Sequence, residues 1–257
     1  MASDTAQPRR RVAETRGDAR ARILAAARDL IPRAESSLPV TAIARHAGVA
    51  IQTVYDQFGS KGGLMIAVVN DVQQSVGLFA AFEQVFGSPD GETALRRMIE
   101  ATMSFWDRAW PYIRFLLRSR GIDPVVSREL DFIDRLRNAH LWAITKRLEQ
   151  EQRLRVDESA GSAADQAFAL TTPSVYEELV VRRGASPASA VDAAIRAVLG
   201  AIMEPGAVTA ADGPPDWPSL EAAAAARAKA QGSDPSRLSP GWQGSAVWTE
   251  SEPGADG

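Results

Sequence analysis

The stretch that most constrains this chain is the 25-residue run from Val40 to Leu64, VTAIARHAGVAIQTVYDQFGSKGGL. Apolar residues recur at helical spacing from Val40 to Ala47, Gly48 interrupts the pattern, and Val54 and Phe58 outline a second short helix. Two short helices joined by a glycine-containing turn predict a helix-turn-helix. The second helix of such a motif fits the major groove of B-DNA, which is about 12 Å wide.

The second helix leaves a strip of polar and apolar side chains free if Val54 and Phe58 face inward. A glutamine amide on this strip pairs with adenine through two hydrogen bonds, an isoleucine lies against a thymine methyl, and threonine or tyrosine hydroxyls reach phosphate oxygens. Asp56 repels phosphate unless it accepts from a cytosine amino group. A lysine at the start of the following helix, after a Ser60 N-cap, suits a backbone phosphate. The predicted DNA-contacting residues are Thr41, Ile51, Gln52, Thr53, Tyr55, Asp56 and Lys61.

Helix-turn-helix geometry also occurs in helical cores that never touch DNA, but the residue order here is more specific. It reads IAxxAGV, TVYxxF and SKxxL. The residues are Ile43-Ala44, Ala47-Gly48-Val49, Thr53-Val54-Tyr55, Phe58, Ser60-Lys61 and Leu64. This order resembles the DNA-binding head of the tetracycline-repressor (TetR) family of bacterial transcription regulators. The resemblance implies an all-α fold, with an N-terminal three-helix helix-turn-helix head and a C-terminal helical bundle for effector binding and dimerisation.

The function implied by the resemblance is ligand-responsive transcription regulation, with a repressor binding a palindromic double-stranded DNA operator as a homodimer. The alternative is a helical protein–protein interaction module that uses the helix-turn-helix against a protein partner. Charge favours DNA, because residues 1–64 carry 10 Arg and Lys against 6 Asp and Glu. Residues 65–205 carry 16 against 19, and residues 206–257 carry 3 against 7. A basic head on an acidic body is expected when only one part of a chain meets phosphate.

The sequence does not indicate an enzyme. The chain has no Cys and only two His, His46 and His140, and it contains no HExxH, GxSxG or phosphate-binding glycine loop. We therefore expect no catalytic residue, no metal and no cofactor. No apolar run approaches the roughly 20 residues of a membrane helix, and the cytoplasm is the expected location.

Four regions are expected along the chain. Residues 1–16 form a flexible basic arm, whose Arg9-Arg10-Arg11 is either a solvated tail or a minor-groove contact. Residues 17–64 form the DNA-binding domain, with Asp18 capping its first helix. Residues 65–205 form the body, in which one helix runs to Gly87 and the next breaks at Pro111. Residues 206–257 form a disordered tail in which about ten residues from Ser219 are too few for a stable isolated helix.

Bulky residues concentrate in the middle of the body, and most of them are explained by a core. The resemblance also implies an effector site there, and flexible apolar residues with a few polar tips line pockets for apolar small molecules. The predicted ligand-pocket residues are Met98, Met103, Trp106, Trp110, Phe115 and His140.

A second resemblance to one branch of the same family covers residues 168–202, in helices that pack against a twin subunit there. Its residues are Leu170-Thr171, Pro173, Val175-Tyr176, Leu179, Arg183-Gly184 and Ser186. An apolar stripe follows, made of Val191, Ala194, Ile195, Val198 and Ile202. The stripe either covers its own core or contributes to a four-helix bundle between subunits, and we expect at least part of it to lie in that bundle.

Overall fold

The computed structural model describes residues 7–34, 38–204 and 215–232. The regular secondary-structure elements of these residues are all helices. The α-helices are α1 (Gln7–Leu30), α2 (Val40–Ala47), α3 (Ile51–Phe58), α4 (Lys61–Ser75), α5 (Leu78–Phe86), α6 (Gly91–Ser119), α7 (Pro124–Gln150), α8 (Ala160–Ala169), α9 (Pro173–Tyr176), α10 (Pro187–Ile202) and α11 (Trp217–Ala230). A 3₁₀ helix follows α1 at Ile31–Arg33, and a π-helix follows α9 at Glu177–Arg182. Extended pairing within the described residues is limited to one isolated antiparallel bridge between Leu154 and Met203. The expected all-α class is confirmed.

The chain divides into two compact units, which are described separately. The first comprises Met1–Val72 and Ala109–Glu129, and the second comprises Gln73–Arg108 and Leu130–Gly257.

Three helices enclose the core of the first unit. Ile23 of α1, Ile43 of α2 and Val54 of α3 are almost fully buried. Gly48 ends α2 with φ at 64°, a left-handed conformation that glycine adopts without steric cost. The Val49 N–H then donates to a carbonyl in the last turn of α2. The predicted helix-turn-helix is therefore present, with α2 and α3 as its two helices.

Residues 109–129 belong to this first unit, although they were expected from the sequence in the body. The Tyr112 hydroxyl donates to the Arg28 carbonyl at 3.2 Å, and Arg114 Nη2 donates to the Ala34 carbonyl at 2.9 Å. Both acceptors lie near the end of α1 or just after it, where carbonyls lack a partner within the helix. These long-range bonds have no signal in the local sequence.

The start of the first helix differs from the prediction. It begins at Gln7, so Asp18 lies inside α1 and does not cap it. Arg9-Arg10-Arg11 belongs to α1 as well, and only residues 1–6 of the predicted arm lie outside the described residues. Arginine, alanine and glutamate favour helix, and a proline is tolerated in a first turn.

Two predicted helix breaks fall elsewhere. The helix expected to run to Gly87 breaks after Ser75, because Gly77 adopts φ at 71° between α4 and α5. Pro111 lies inside the continuous helix α6 and does not break it. A proline removes one backbone N–H from a helix interior, but Ala109 before it and Ile113 after it are buried, so packing holds the helix on both sides.

The second unit contains a helix in the predicted tail. Residues 217–230 form α11, and Trp217, Leu220, Ala224 and Ala228 on one of its faces are buried. Its N-cap is Asp216, whose carboxylate accepts from the Ser219 N–H at 3.2 Å, so Ser219 is not the cap. The predicted disorder is wrong for this segment, because burial of one face stabilises a helix that would be too short to be stable as an isolated peptide. The tail residues 206–214 and 233–257 lie outside the described residues.

Over the part of the chain that the structure describes, no single helix is long and apolar enough to cross a membrane. Lys61–Ser75 and Ala80–Phe86 reach the necessary length and composition only as a bent pair, a property that buried core helices share.

Candidate nucleic-acid interface

Helix α3 is the second helix of the helix-turn-helix, and we call it the reading helix. One of its faces lies against the core and the other faces solvent. Val54 is 1% exposed, whereas Ile51 and Tyr55 are 41% and 39% exposed. Gln52 and Asp56 are exposed as well. The predicted strip is therefore solvent-accessible as the spacing requires, and large apolar side chains stay exposed on it.

Gln52 and Asp56 interact with each other on this strip. Gln52 Nε2 donates to Asp56 Oδ1 at 2.9 Å, one helical turn away. The carboxylate thus restrains the rotamer of the amide and satisfies one of its two N–H donors. This positioning role of Asp56 is additional to its predicted contact with cytosine, and the i, i+4 spacing could have indicated it.

The start of α4 is organised as predicted around a serine cap. Ser60 Oγ accepts from the Gly63 N–H at 3.0 Å, which places the exposed Lys61 in the first turn. A Cβ at Gly62 would collide with the Asp123 carboxylate, so this position requires a glycine for close packing within the first unit. Thr41 is exposed at the start of α2 and Thr53 is partly buried in α3.

Two further cations of the first unit were not singled out from the sequence. Arg20 lies over the Phe58 ring at 4.5 Å and donates to the Gln57 carbonyl at 3.4 Å. Arg45 is exposed on α2, four residues after Thr41, a spacing that places both on one helix face. The Arg20 position could be found only from the tertiary packing of α1 on α3, whereas the Arg45 position was readable from the sequence.

His46 has a partner within the first unit. Its Nε2 lies 3.2 Å from Asp29 Oδ2, and Asp29 also accepts from Arg33 at 2.6 Å. The imidazole is therefore held by a carboxylate on the polar side of α2.

The six predicted pocket residues do not all fall in one unit. Trp110 and Phe115 lie in the first unit, and the other four lie in the second. Met98 and Met103 are almost fully buried core residues, and Trp106 Nε1 donates to the Thr171 carbonyl at 3.0 Å. Their assignment to an effector pocket stays a prediction.

His140 is the sixth of these residues, and it lies in an aromatic cluster. Its ring makes edge contacts with Phe82 and Phe86, at centroid distances of 5.8 and 5.5 Å. Phe86 in turn makes an edge contact with Trp217 of α11 at 5.7 Å. Burial lowers the pKa of His140 to about 4, because the charged imidazolium would lose its hydration there.

Arg137 is a buried cation near Trp106 and the end of α8. It donates from Nη1 to the Thr171 carbonyl at 2.8 Å, and its guanidinium lies 4.0 Å from the centre of the Phe168 ring. Burial lowers the pKa of Arg137 to about 10, and the Asp134 carboxylate opposes this shift. Because a guanidinium at this pKa is still charged at neutral pH, the group caps α8 as a cation.

A cavity of about 200 Å³ lies in the second unit and is lined by none of the six predicted pocket residues. One wall is the turn between α4 and α5 with one side of α5, and the other is a single face of α6. The lining residues are Val76, Gly77, Leu78, Ala81, Gln84, Arg97, Glu100, Ala101, Ser104, Phe105 and Arg108.

Comparison with known proteins agrees with the helix-turn-helix. The sequence profile described as "Bacterial regulatory proteins, tetR family" matches residues 23–68. Helix α3 and the capped start of α4 lie inside this match. No curated protein sequence matches the chain.

Two solved structures have a similar fold. The "SmeT-Triclosan complex" is 18% identical, with 77% of this chain and 98% of that chain covered and a TM-score of 0.58. SmeT, "the repressor of the Stenotrophomonas maltophilia multidrug efflux pump SmeDEF", is 20% identical in a second structure, with 77% and 99% covered and a TM-score of 0.55.

The fold, the exposed reading helix and the family profile together define a helix-turn-helix DNA-binding protein that regulates transcription. Within the chain, residues 23–68 match the TetR family of bacterial regulatory proteins.

Proposed function

We propose that this chain is a ligand-responsive repressor that binds a palindromic operator as a homodimer. The observation that carries the proposal is the solvent-exposed strip on α3, in which Asp56 holds the Gln52 amide beside the exposed Ile51 and Tyr55. An amide, a methyl-bearing side chain and a phenol on one face suit base edges and phosphates of a major groove. Thr41, Thr53 and Lys61 complete the proposed contact surface.

Two-fold symmetry requires a surface for a second copy, and α10 is our candidate. The stripe expected to reach the partner is mostly buried within its own chain: Ala194, Ile195, Val198 and Ile202 are covered without a second subunit. These four residues therefore pack in the core of their own chain. The proposed dimer contact shifts to the neighbouring face, where Ala197 and Gly200 are exposed small residues that allow close helix approach.

The proposed effector is a small, largely apolar molecule that binds in the body. The SmeT structure with triclosan supports this by analogy of fold. An effector acts only through a difference in its affinity for the DNA-binding conformation and a second one. We propose residues 17–64 for DNA contact and residues 65–205 for effector binding and dimerisation.

The decisive experiment is capture of fragmented genomic DNA by the purified full-length protein, followed by sequencing. We expect enriched fragments with an inverted repeat whose half-sites are separated by about 34 Å or a multiple of it. The control is the Gln52→Ala, Tyr55→Ala double variant, which should enrich no repeat. Capture of a protein partner without any DNA enrichment would favour the interaction-module alternative.

The salt dependence of binding to a captured fragment is a direct prediction of phosphate contact. Raising the salt concentration from 50 to 200 mM should weaken binding at least about tenfold, because each neutralised phosphate releases condensed counterions. Fluorescence anisotropy with a labelled fragment measures this. A salt-independent Kd would contradict the DNA contact assigned to this surface.

Single substitutions on the strip should separate base recognition from phosphate contact. Lys61→Ala and Tyr55→Ala should weaken binding to operator and to unrelated DNA by the same factor, whereas Gln52→Ala should reduce the preference for operator by about 1–3 kcal/mol. Competition binding with single-base operator variants measures the difference. Arg33→Ala, at an exposed cation paired with Asp29, is the matched control. Equal loss of preference in the Lys61, Tyr55 and Gln52 variants would refute the assigned roles.

A further inference from the structure

The cavity of the second unit has a charged rim and apolar walls, and we refer to it as the α5–α6 cleft. Leu78 and Phe105, on its opposite walls, are buried apolar residues. Three charged residues of α6 line the same cleft: Arg97, Glu100 and Arg108. Two cations and one carboxylate give the cleft an excess of positive charge in a unit whose chain segment is acidic overall.

The two arginines bond to backbone and hydroxyl oxygens. Arg108 Nη1 donates to the Val76 carbonyl at 3.0 Å. Arg97 Nη1 donates to the Gln84 carbonyl at 2.9 Å and to Ser88 Oγ at 3.1 Å. Neither forms an ion pair among the described residues. A guanidinium has five N–H donors in a planar fork, so each arginine retains donors suited to a carboxylate.

These bonds by themselves could be purely structural, since both carbonyls lie at or near helix ends where cations are favourable. That reading accounts for one Nη of each arginine. It does not explain why both guanidiniums lie on the wall of a cleft, because capping a helix end does not require an adjoining cavity.

The two ends of the cleft are electrostatically different. Glu100 lies one helical turn from Arg97, at i, i+3, which compensates the charge at that end. Arg108 lies two turns beyond Glu100 and shares its helix face with Ser104, at i, i+4. The neighbouring Asp107 accepts from the Tyr176 hydroxyl at 2.8 Å, and adjacent helix positions do not face each other. The net positive end is therefore the Arg108 end.

We propose that the α5–α6 cleft binds a small organic anion, a carboxylate carrying a short apolar group, with the carboxylate paired to Arg108 and the apolar group between Leu78 and Phe105. The volume of about 200 Å³ suits a molecule with roughly the bulk of one aromatic ring and its substituent, below the usual 300–1,000 Å³ of drug-sized sites. As an effector site, this assignment rests on the proposed function and specifies its ligand class.

The Arg108 anchor also gives the ligand a way to alter the protein. The chain passes from the first unit to the second after Val72 and leaves it again after Arg108. The hydrogen bond from Arg108 to the Val76 carbonyl joins two residues that lie within four positions of these two boundaries in the sequence. A ligand carboxylate competes with that carbonyl for the guanidinium, so binding loosens the turn between α4 and α5.

The test is isothermal titration of the full-length protein with benzoate and with its neutral isostere benzamide, at constant ionic strength and pH 7.5. We expect benzoate to bind at least tenfold more tightly than benzamide. Arg108→Gln should weaken benzoate binding at least tenfold and leave benzamide binding unchanged. Arg96→Gln, which removes an exposed α6 cation paired with Glu92, should change neither.

Two further variants keep the test independent of folding defects. Arg108→Lys retains the charge and should restore part of the benzoate affinity, and Ala101→Leu fills the cleft and should abolish binding of both compounds. Equal affinity for benzoate and benzamide, no binding of benzoate, or equal effects of Arg108→Gln and Arg96→Gln would overturn the proposal. A protein that captures operator DNA but fails to bind benzoate refutes this inference alone. Benzoate binding through Arg108 without DNA capture refutes only the proposed function.

Discussion

Replacing Trp217 by Ala is expected to lower the free energy of unfolding of the second unit by about 3–5 kcal/mol, the range for removing a large aromatic side chain from a core. The indole is buried, makes an edge contact with Phe86, and donates from Nε1 to the Ser88 carbonyl at 2.8 Å. Its loss leaves a cavity and a buried carbonyl with one partner fewer. Urea unfolding followed by far-ultraviolet circular dichroism measures the change.

Two companion variants separate the contributions of Trp217. Trp217→Phe keeps an aromatic ring against Phe86 but removes the donor, and it should cost about 1–3 kcal/mol. Ala223→Ser, on the exposed face of α11, should change stability by less than about 0.5 kcal/mol. A loss below 1 kcal/mol for Trp217→Ala would mean that α11 does not pack on the second unit.

Acidification from pH 7.5 to pH 5 is expected to remove about 2 kcal/mol of stability through His140, which is measured as the difference between the wild type and a variant without the imidazole. Burial lowers its pKa from 6.5 to about 4, so the unfolded chain binds a proton below pH 6.5 that the folded protein does not accept until about pH 4. The His140 contribution to stability therefore rises with pH through this window and is fully present above 6.5. The magnitude follows from 1.36 kcal/mol for each unit of pKa difference, weighted by protonation at pH 5.

The experiment compares the pH dependence of unfolding in the wild type and in His140→Phe, which replaces the imidazole by a ring suited to contact with Phe82 and Phe86. The variant should lose this part of the pH dependence. Glu221 acts in the opposite sense, because burial raises its pKa to about 7 and favours the folded state as pH falls. Glu221→Gln removes this opposing contribution, so this variant should lose more stability on acidification than the wild type does. Identical pH profiles for wild type and His140→Phe would contradict the buried neutral imidazole.

The helix-turn-helix could be predicted almost to the residue because its signals are local. The apolar period of α2, the turn at Gly48 and the Ser60 cap act within a few residues of the chain, and all are found where the sequence predicts them. The strip on α3 follows from the same geometry, since burying Val54 exposes the residues on the opposite side. Its contact with DNA remains a prediction.

Longer-range features escaped prediction for an opposite reason. Nothing in the sequence around Pro111 indicates that α6 continues through it, with buried residues on both sides. The ordering of α11 depends on Ser88, Phe86 and the rest of its docking surface, more than 120 residues earlier in the chain. The α5–α6 cleft likewise lies where the turn at Gly77 and helix α5 face α6, and the lining residues of its two walls are more than ten residues apart in the chain.

The sequence by itself determined the helix-turn-helix, because the helical period, the glycine turn and the capping serine each act through neighbouring residues. Only the tertiary structure decided that the second unit recruits a late helix, buries most of the α10 stripe and places Arg108 in a cleft. These outcomes depend on apolar surface and hydrogen-bond donors that come together from distant parts of the chain. Local propensity does not indicate which distant residues will make these contacts.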